Sequence, residues 1–127
     1  MPAFDDAWID AVCAACDPVF ESAGVGFVRQ LSMSNPGHVS AILWEAEPLR
    51  FAARYPDSRV QEPYGDQWPP HCIDQWLYFE PELAQVRLSL EGWGLPEIHV
   101  PVTGHGGGDG AFIARLLARI LDVPAPG

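Results

Sequence analysis

Apolar residues recur with a helical period at both ends of the chain and with a two-residue period between them. Phe4, Trp8, Ile9, Val12, Cys13, Cys16, Val19 and Phe20 fall on one half of a helical wheel. Asp6, Asp10, Asp17 and Glu21 occupy the other half together with the alanines of the segment. The pattern predicts an amphipathic helix that Asp5 or Asp6 caps and Gly24 ends. Pro18 removes a backbone donor inside it, so the helix either kinks there or restarts with Asp17 as a second cap. Near the other end, Phe112, Ile113, Leu116, Leu117, Ile120 and Leu121 predict a closing helix. Asp109 is its expected cap, and Arg115 and Arg119 lie toward its negative pole.

The middle of the chain has the alternation of strands. Val25, Phe27, Leu31 and Met33 alternate with Gly26, Val28, Gln30 and Ser32, and Arg29 interrupts the apolar face. After a turn at Ser34-Asn35-Pro36-Gly37, residues 39–46 are apolar on both parities, which predicts a central or doubly covered strand. Pro48–Tyr55 fits a short helix opened by Pro48 better than a strand with Leu49, Phe51 and Ala53 pointing inward. Residues 56–72 hold four prolines and a glycine without a period, a long loop. Residues 73–80 then form a strand, and a turn at Pro81–Ala84 leads to Val86, Leu88 and Leu90 on one face of the next. Gly92–Pro96 turns the chain again, with Trp93 expected at the surface. Ile98, Val100 and Val102 mark a last strand that Pro101 assigns to an edge. The whole predicts a single α+β domain over residues 1–127. Its core is an antiparallel, meander-like sheet of about five strands, with an N-terminal and a C-terminal helix packed on one face.

Charge narrows the function classes. Seven arginines and no lysine face 17 acids, a net charge of −10. Phosphate recognition relies on clustered positive charge, so nucleic acid and anionic membranes are disfavoured partners. No apolar run approaches the ~20 residues of a membrane span, and the acidic N-terminus does not resemble a secretory signal. An odd count of three cysteines fits a reducing cytosol better than a disulfide scaffold. The absence of lysine beside abundant Ala, Gly, Pro and Arg points to a high-GC bacterial genome. The acids are not evenly spread. Residues 1–23 carry five acids and no base, and residues 60–99 carry seven acids against one arginine; residues 24–59 hold four arginines against three acids.

Several motifs invite a chemical reading. His105-Gly106-Gly107-Gly108 spells an oxyanion-hole motif, but no G-x-S-x-G nucleophile elbow accompanies it. As a phosphate loop the same glycines lack a following Lys, and Asp109 would repel an anion, which leaves a connector into a capped helix. Cys13-Ala14-Ala15-Cys16, with His71 and Cys72, supplies four zinc-type ligands. Cys13 and Cys16 fall on the apolar face of the helix, however, where cysteine is an ordinary core residue. His71 and Cys72 are adjacent and would point to opposite faces of a strand, which disfavours a nucleophilic pair. No catalytic residue, metal or cofactor is therefore assigned. Asp74 with Glu80, or Glu91 with Glu97, are carboxylate pairs that surface solvation explains.

The aromatic and acidic residues of the loop are more telling. Glu62, Tyr64, Asp66 and Trp68, with Asp74 just beyond, either combine aromatic anchors with carboxylates that steer a basic partner, or Tyr64 and Trp68 fold back as a lid over the core. The expected function is a non-enzymatic acidic protein-binding module of inhibitor or immunity type, neutralising a basic, nuclease-like protein. The alternatives are a secretion-type chaperone for an effector, and a small-molecule-binding domain whose pocket Arg29, Trp76, Tyr78 and His99 would line. Whether the chain is a monomer or a homodimer is left open by its edge strands.

Overall fold

A computed structural model describes residues 5–35, 38–57, 73–90, 93 and 95–124. Helix α1 (Asp6–Ala23) leads into strands β1 (Phe27–Asn35) and β2 (His38–Ala46). Helix α2 (Pro48–Arg54) precedes β3 (Ile73–Glu80), β4 (Gln85–Leu90) and β5 (Ile98–Pro101), and helix α3 (Gly106–Leu121) closes the chain. The strands lie in the order β1-β2-β3-β4-β5, a five-stranded antiparallel meander, and α1 packs against α3: an α+β fold. Contacts gather the chain into two compact units. One contains Met1–Gly24, Phe79–Val86 and Val100–Gly127; the other contains Val25–Tyr78 and Arg87–His99.

The first unit is built on the two long helices. Asp5 caps α1 by accepting from the Trp8 amide at 2.9 Å, and Gly24 ends it in the left-handed conformation at φ 69°. The helix runs through Pro18 as one element. Ala14 and Pro18 are both exposed, so the carbonyl that Pro18 cannot serve lies on the water-facing side.

Helix α3 departs from expectation in two ways. It begins at Gly106, with His105 at the cap position and Asp109 already inside the helix. Its buried face is made by Gly110, Ile113, Ala114, Leu117, Ala118 and Leu121, whereas Phe112 is exposed. Small residues explain the rotation. A Cβ on Gly106 would sit 2.8 Å from the Ala11 Cβ, and one on Gly110 would sit 3.1 Å from the Ala11 carbonyl oxygen and 3.2 Å from the Val12 Cα. The glycines let the backbones of α1 and α3 meet, and the large apolar residues flank that seam.

The second unit holds the β1–β2–β3 ladder. Phe27, Arg29 and Leu31 pair with Ala46, Trp44 and Ile42, which pair in turn with Ile73, Gln75 and Leu77. Opposed residues share a face, so this set forms one side of the sheet, and its β2 and β3 members are all buried. Pro48 opens α2, and Glu47 caps it through the Leu49 and Arg50 amides at 3.2 and 2.7 Å. Phe51, Tyr55 and Trp93 form an aromatic cluster with centroids 4.9 to 5.9 Å apart. Trp93 is thus half-buried against α2 rather than exposed, because the turn that carries it has an aromatic surface to land on.

Gln75 is the anomaly of this core. It is 2 % exposed, and among the described residues neither its amide nitrogen nor its oxygen has a hydrogen-bond partner. A buried amide without partners costs stability that an apolar side chain of similar shape does not. Gln75→Met is therefore expected to raise the unfolding free energy by about 1–2 kcal/mol, read as a higher denaturant midpoint at unchanged slope. An unchanged or lower midpoint would show that the amide is satisfied.

Candidate functional site

The other side of the same ladder brings acids and aromatics together. Register pairs Glu45 with Val28 on β1 and with Asp74 on β3, and it pairs Leu43 with Gln30 and Trp76, and Ala41 with Ser32 and Tyr78. Glu45 and Asp74 are therefore cross-strand neighbours, both half-buried, on the face that carries Trp76 and Tyr78. Gln30 donates from Nε2 to Glu45 Oε1 at 2.8 Å. Two residues apart on β3, Trp76 and Tyr78 stack nearly parallel, with centroids 5.4 Å apart and planes at 11°. The Arg87 guanidinium lies 4.5 Å from the Tyr78 ring centre and bonds Glu97 Oε2 through Nη1 at 2.7 Å. That partly exposed ion pair contributes little to stability, but together with the stack it holds the Tyr78 ring in place.

Glu45 also belongs to the wall of an open cleft of about 490 Å³. The start of β1, the end of β2 and the first turn of α2 line it, Glu47 and Arg50 included. Val28, which is 61 % exposed, forms its apolar side.

The residues expected to bind a partner or ligand distribute unequally. Asp74 lies on the acidic-aromatic face, while Glu62, Tyr64, Asp66 and Trp68 lie outside the described residues. Of the four residues expected to line a small-molecule pocket, Trp76 and Tyr78 come together. Arg29 does not join them, because its register with Trp44 places it on the opposite side of the sheet, where it is exposed. His99 is exposed on β5, and by alternation it points away from buried Val100. Glu45, Gln30 and Arg87 join the site without having been singled out from the sequence.

The remaining motifs have structural duties. Cys13 and Cys16 are both buried on α1. Burial, reinforced by Cys13 and Asp17, pushes the Cys16 thiol far above its ordinary range, so it stays protonated and poorly nucleophilic. His71 and Cys72 lie outside the described residues, and among the described residues no three His, Cys, Asp or Glu side chains are arranged to hold a metal ion. Of the glycines after His105, Gly106 serves the α1–α3 contact, whereas a Cβ on Gly107 or Gly108 would meet nothing within 4 Å.

Asp109, expected as a helix cap, instead reaches back to the segment before α3. It accepts from the Thr103 amide and hydroxyl, each at 2.9 Å, from the Gly104 amide at 2.9 Å, and from the Trp8 indole at 2.8 Å. Burial acts to raise its pKa, but the donors from Trp8, Thr103 and Gly104 together outweigh it and hold the carboxyl below its usual value. The Trp8 ring then meets Phe79 edge to face, with centroids 5.4 Å apart.

No family model, curated protein or solved structure matches the chain. Among the described residues no helix is long and apolar enough to cross a membrane.

Proposed function

We propose that this protein is a non-enzymatic acidic binding module, of inhibitor or immunity type, that neutralises a basic protein partner. The observation that carries the reading is the register pairing of Glu45 with Asp74 beside the stacked Trp76 and Tyr78. Rigid aromatics provide the large contact area of binding hot spots at small entropic cost, and adjacent carboxylates select and steer a cationic partner. The net charge of −10 adds a long-range field of the same sign. The cleft beside Glu45 has room for a side chain of that partner, and its lining combines Glu45 and Glu47 with apolar residues and Arg50.

The test is capture from cytosolic extract on the immobilised chain, eluted by a salt gradient and repeated with Trp76→Ala. A basic protein retained in stoichiometric amount and released by salt is expected, with at least a tenfold loss on Trp76→Ala, since hot-spot truncation costs about 2 kcal/mol or more. Retention that ignores both salt and the Trp76 substitution would contradict the proposal.

A further inference from the structure

The acidic-aromatic face already holds one guanidinium. Arg87 lies over Tyr78, 4.5 Å from the ring centre, and its Nη1 donates to Glu97 Oε2 at 2.7 Å. A planar cation thus rests on an aromatic ring and turns an N–H at its edge toward a carboxylate. Tyr78 in turn stacks on Trp76, with planes at 11°. Residues two apart on a strand stand about 6.7 Å from each other on one face, so the row along β3 runs Tyr78, Trp76, Asp74. Because the stack follows the strand, Tyr78 covers one face of the Trp76 ring and the second face is turned toward Asp74. Among the described residues Trp76 makes no other ring or cation contact. A carboxylate stands at the edge of that second face. Glu45 pairs with Asp74 across the ladder, to the side of the row, where the rim of a plane stacked on Trp76 would point. Gln30 engages Glu45 Oε1 at 2.8 Å, and among the described residues Oε2 takes no donor. Glu45 also lines the open cleft, so the position is reached from solvent.

We infer that the second face of Trp76 binds an arginine side chain of the basic partner, its guanidinium stacked on the indole and its N–H edge bonded to Glu45. The inference rests on the partner-binding reading and narrows it, from a basic protein to one that presents an arginine. A guanidinium is flat, weakly hydrated and carries its donors in its own plane, so one group can cover the ring and reach sideways to a carboxylate. A lysine ammonium is a compact, strongly hydrated charge that cannot do both at once. The two ends of the stack then match: Glu97 and Arg87 close it at Tyr78, and Glu45 and the partner's arginine close it at Trp76.

Two blocked tripeptides, Gly-Arg-Gly and Gly-Lys-Gly, each carry one cation and no terminal charge, and serve as probes. Titrated into the intact chain and followed by NMR at the Trp76 indole and the β3 amides, the arginine peptide should bind saturably and about tenfold more tightly than the lysine peptide. Its δ-protons should move upfield, as protons over an aromatic ring do. Trp76→Leu should abolish the preference for arginine, and Trp76→Phe, which keeps a ring face, should retain it. Glu45→Gln should weaken the arginine peptide about tenfold. The δ-proton shift and the Glu45→Gln variant decide the matter even if Trp76→Leu does not fold. Equal affinity for the two peptides, with the β3 amides still responding, overturns the inference and leaves the reading of an acidic partner-binding face standing. So does an arginine peptide that binds without the upfield shift, or that is indifferent to Glu45→Gln. If neither peptide moves the β3 amides, the inference and the reading of this face fail together.

Discussion

Asp109→Ala should be the most destabilising single substitution proposed for this protein, lowering the unfolding free energy by about 3 kcal/mol or more. The carboxylate is 5 % exposed and takes donors from Trp8, Thr103 and Gly104. Removing it leaves the buried indole N–H and two part-buried amides without their partner, and a buried unpaired donor costs about 1–3 kcal/mol. It also frees the segment before α3 from α1, since Trp8 and Thr103 are held through the same carboxylate. The effect has a pH signature. A carboxyl whose folded pKa lies below its unfolded value of about 3.9 contributes stability that is fully present above that value and is lost as pH falls through the folded one. Asp109→Asn should therefore be less stable than the parent at neutral pH, with the difference shrinking below about pH 4. Chemical denaturation of both chains from neutral to acid pH checks this. A difference independent of pH would show that Asp109 acts by shape rather than charge.

Gly110→Val should approach the same loss, about 3 kcal/mol, because the atoms that meet the new side chain include backbone. The Ala11 carbonyl oxygen and Val12 Cα lie 3.1 and 3.2 Å from even a first added carbon and cannot rotate aside. Gly106 faces Ala11 at 2.8 Å and should resist alanine for the same reason. The two glycines between them provide the control. A Cβ on Gly107 or Gly108 meets nothing within 4 Å, so alanine there should be neutral or stabilising by up to about 1 kcal/mol through helix propensity alone. Thermal melts of the four variants should separate them into these two pairs. Equal effects at all four positions would mean that the helices do not meet through this stripe.

These residues show where the sequence was legible and where it was not. Hydrophobic period alone located α1, α3 and the strands, because a face turned to the core leaves a mark on every third or second residue. The same logic hid the α1–α3 seam. Ala11 and Ala15 count with the polar half of α1, yet they are what the glycines of α3 pack against, since close backbone approach needs small residues rather than apolar ones. Asp109 looked like a cap because a lone acid before an apolar run usually is one, and its actual donors come from Trp8 and the Thr103 segment. The acidic-aromatic face was half visible: Trp76 and Tyr78 share a parity within β3, whereas the pairing of Asp74 with Glu45 depends on strand register. Register also explains Arg29, which stands near the aromatics in any list of β-strand polar groups but faces the other way.

The central claim is that Glu45 and Asp74 form the cation-recognising part of a protein-binding face. It is tested most directly by the dissociation constant of the captured partner for the parent chain and for Glu45→Gln/Asp74→Asn, each across a range of salt. Both substitutions keep shape and remove charge. The account predicts weaker binding by the double variant, at least tenfold at low salt, and a shallower dependence on salt, because two charges no longer contribute to attraction. Equal affinity and equal salt dependence for the two chains would contradict it and move the partner's footprint off this face of the sheet.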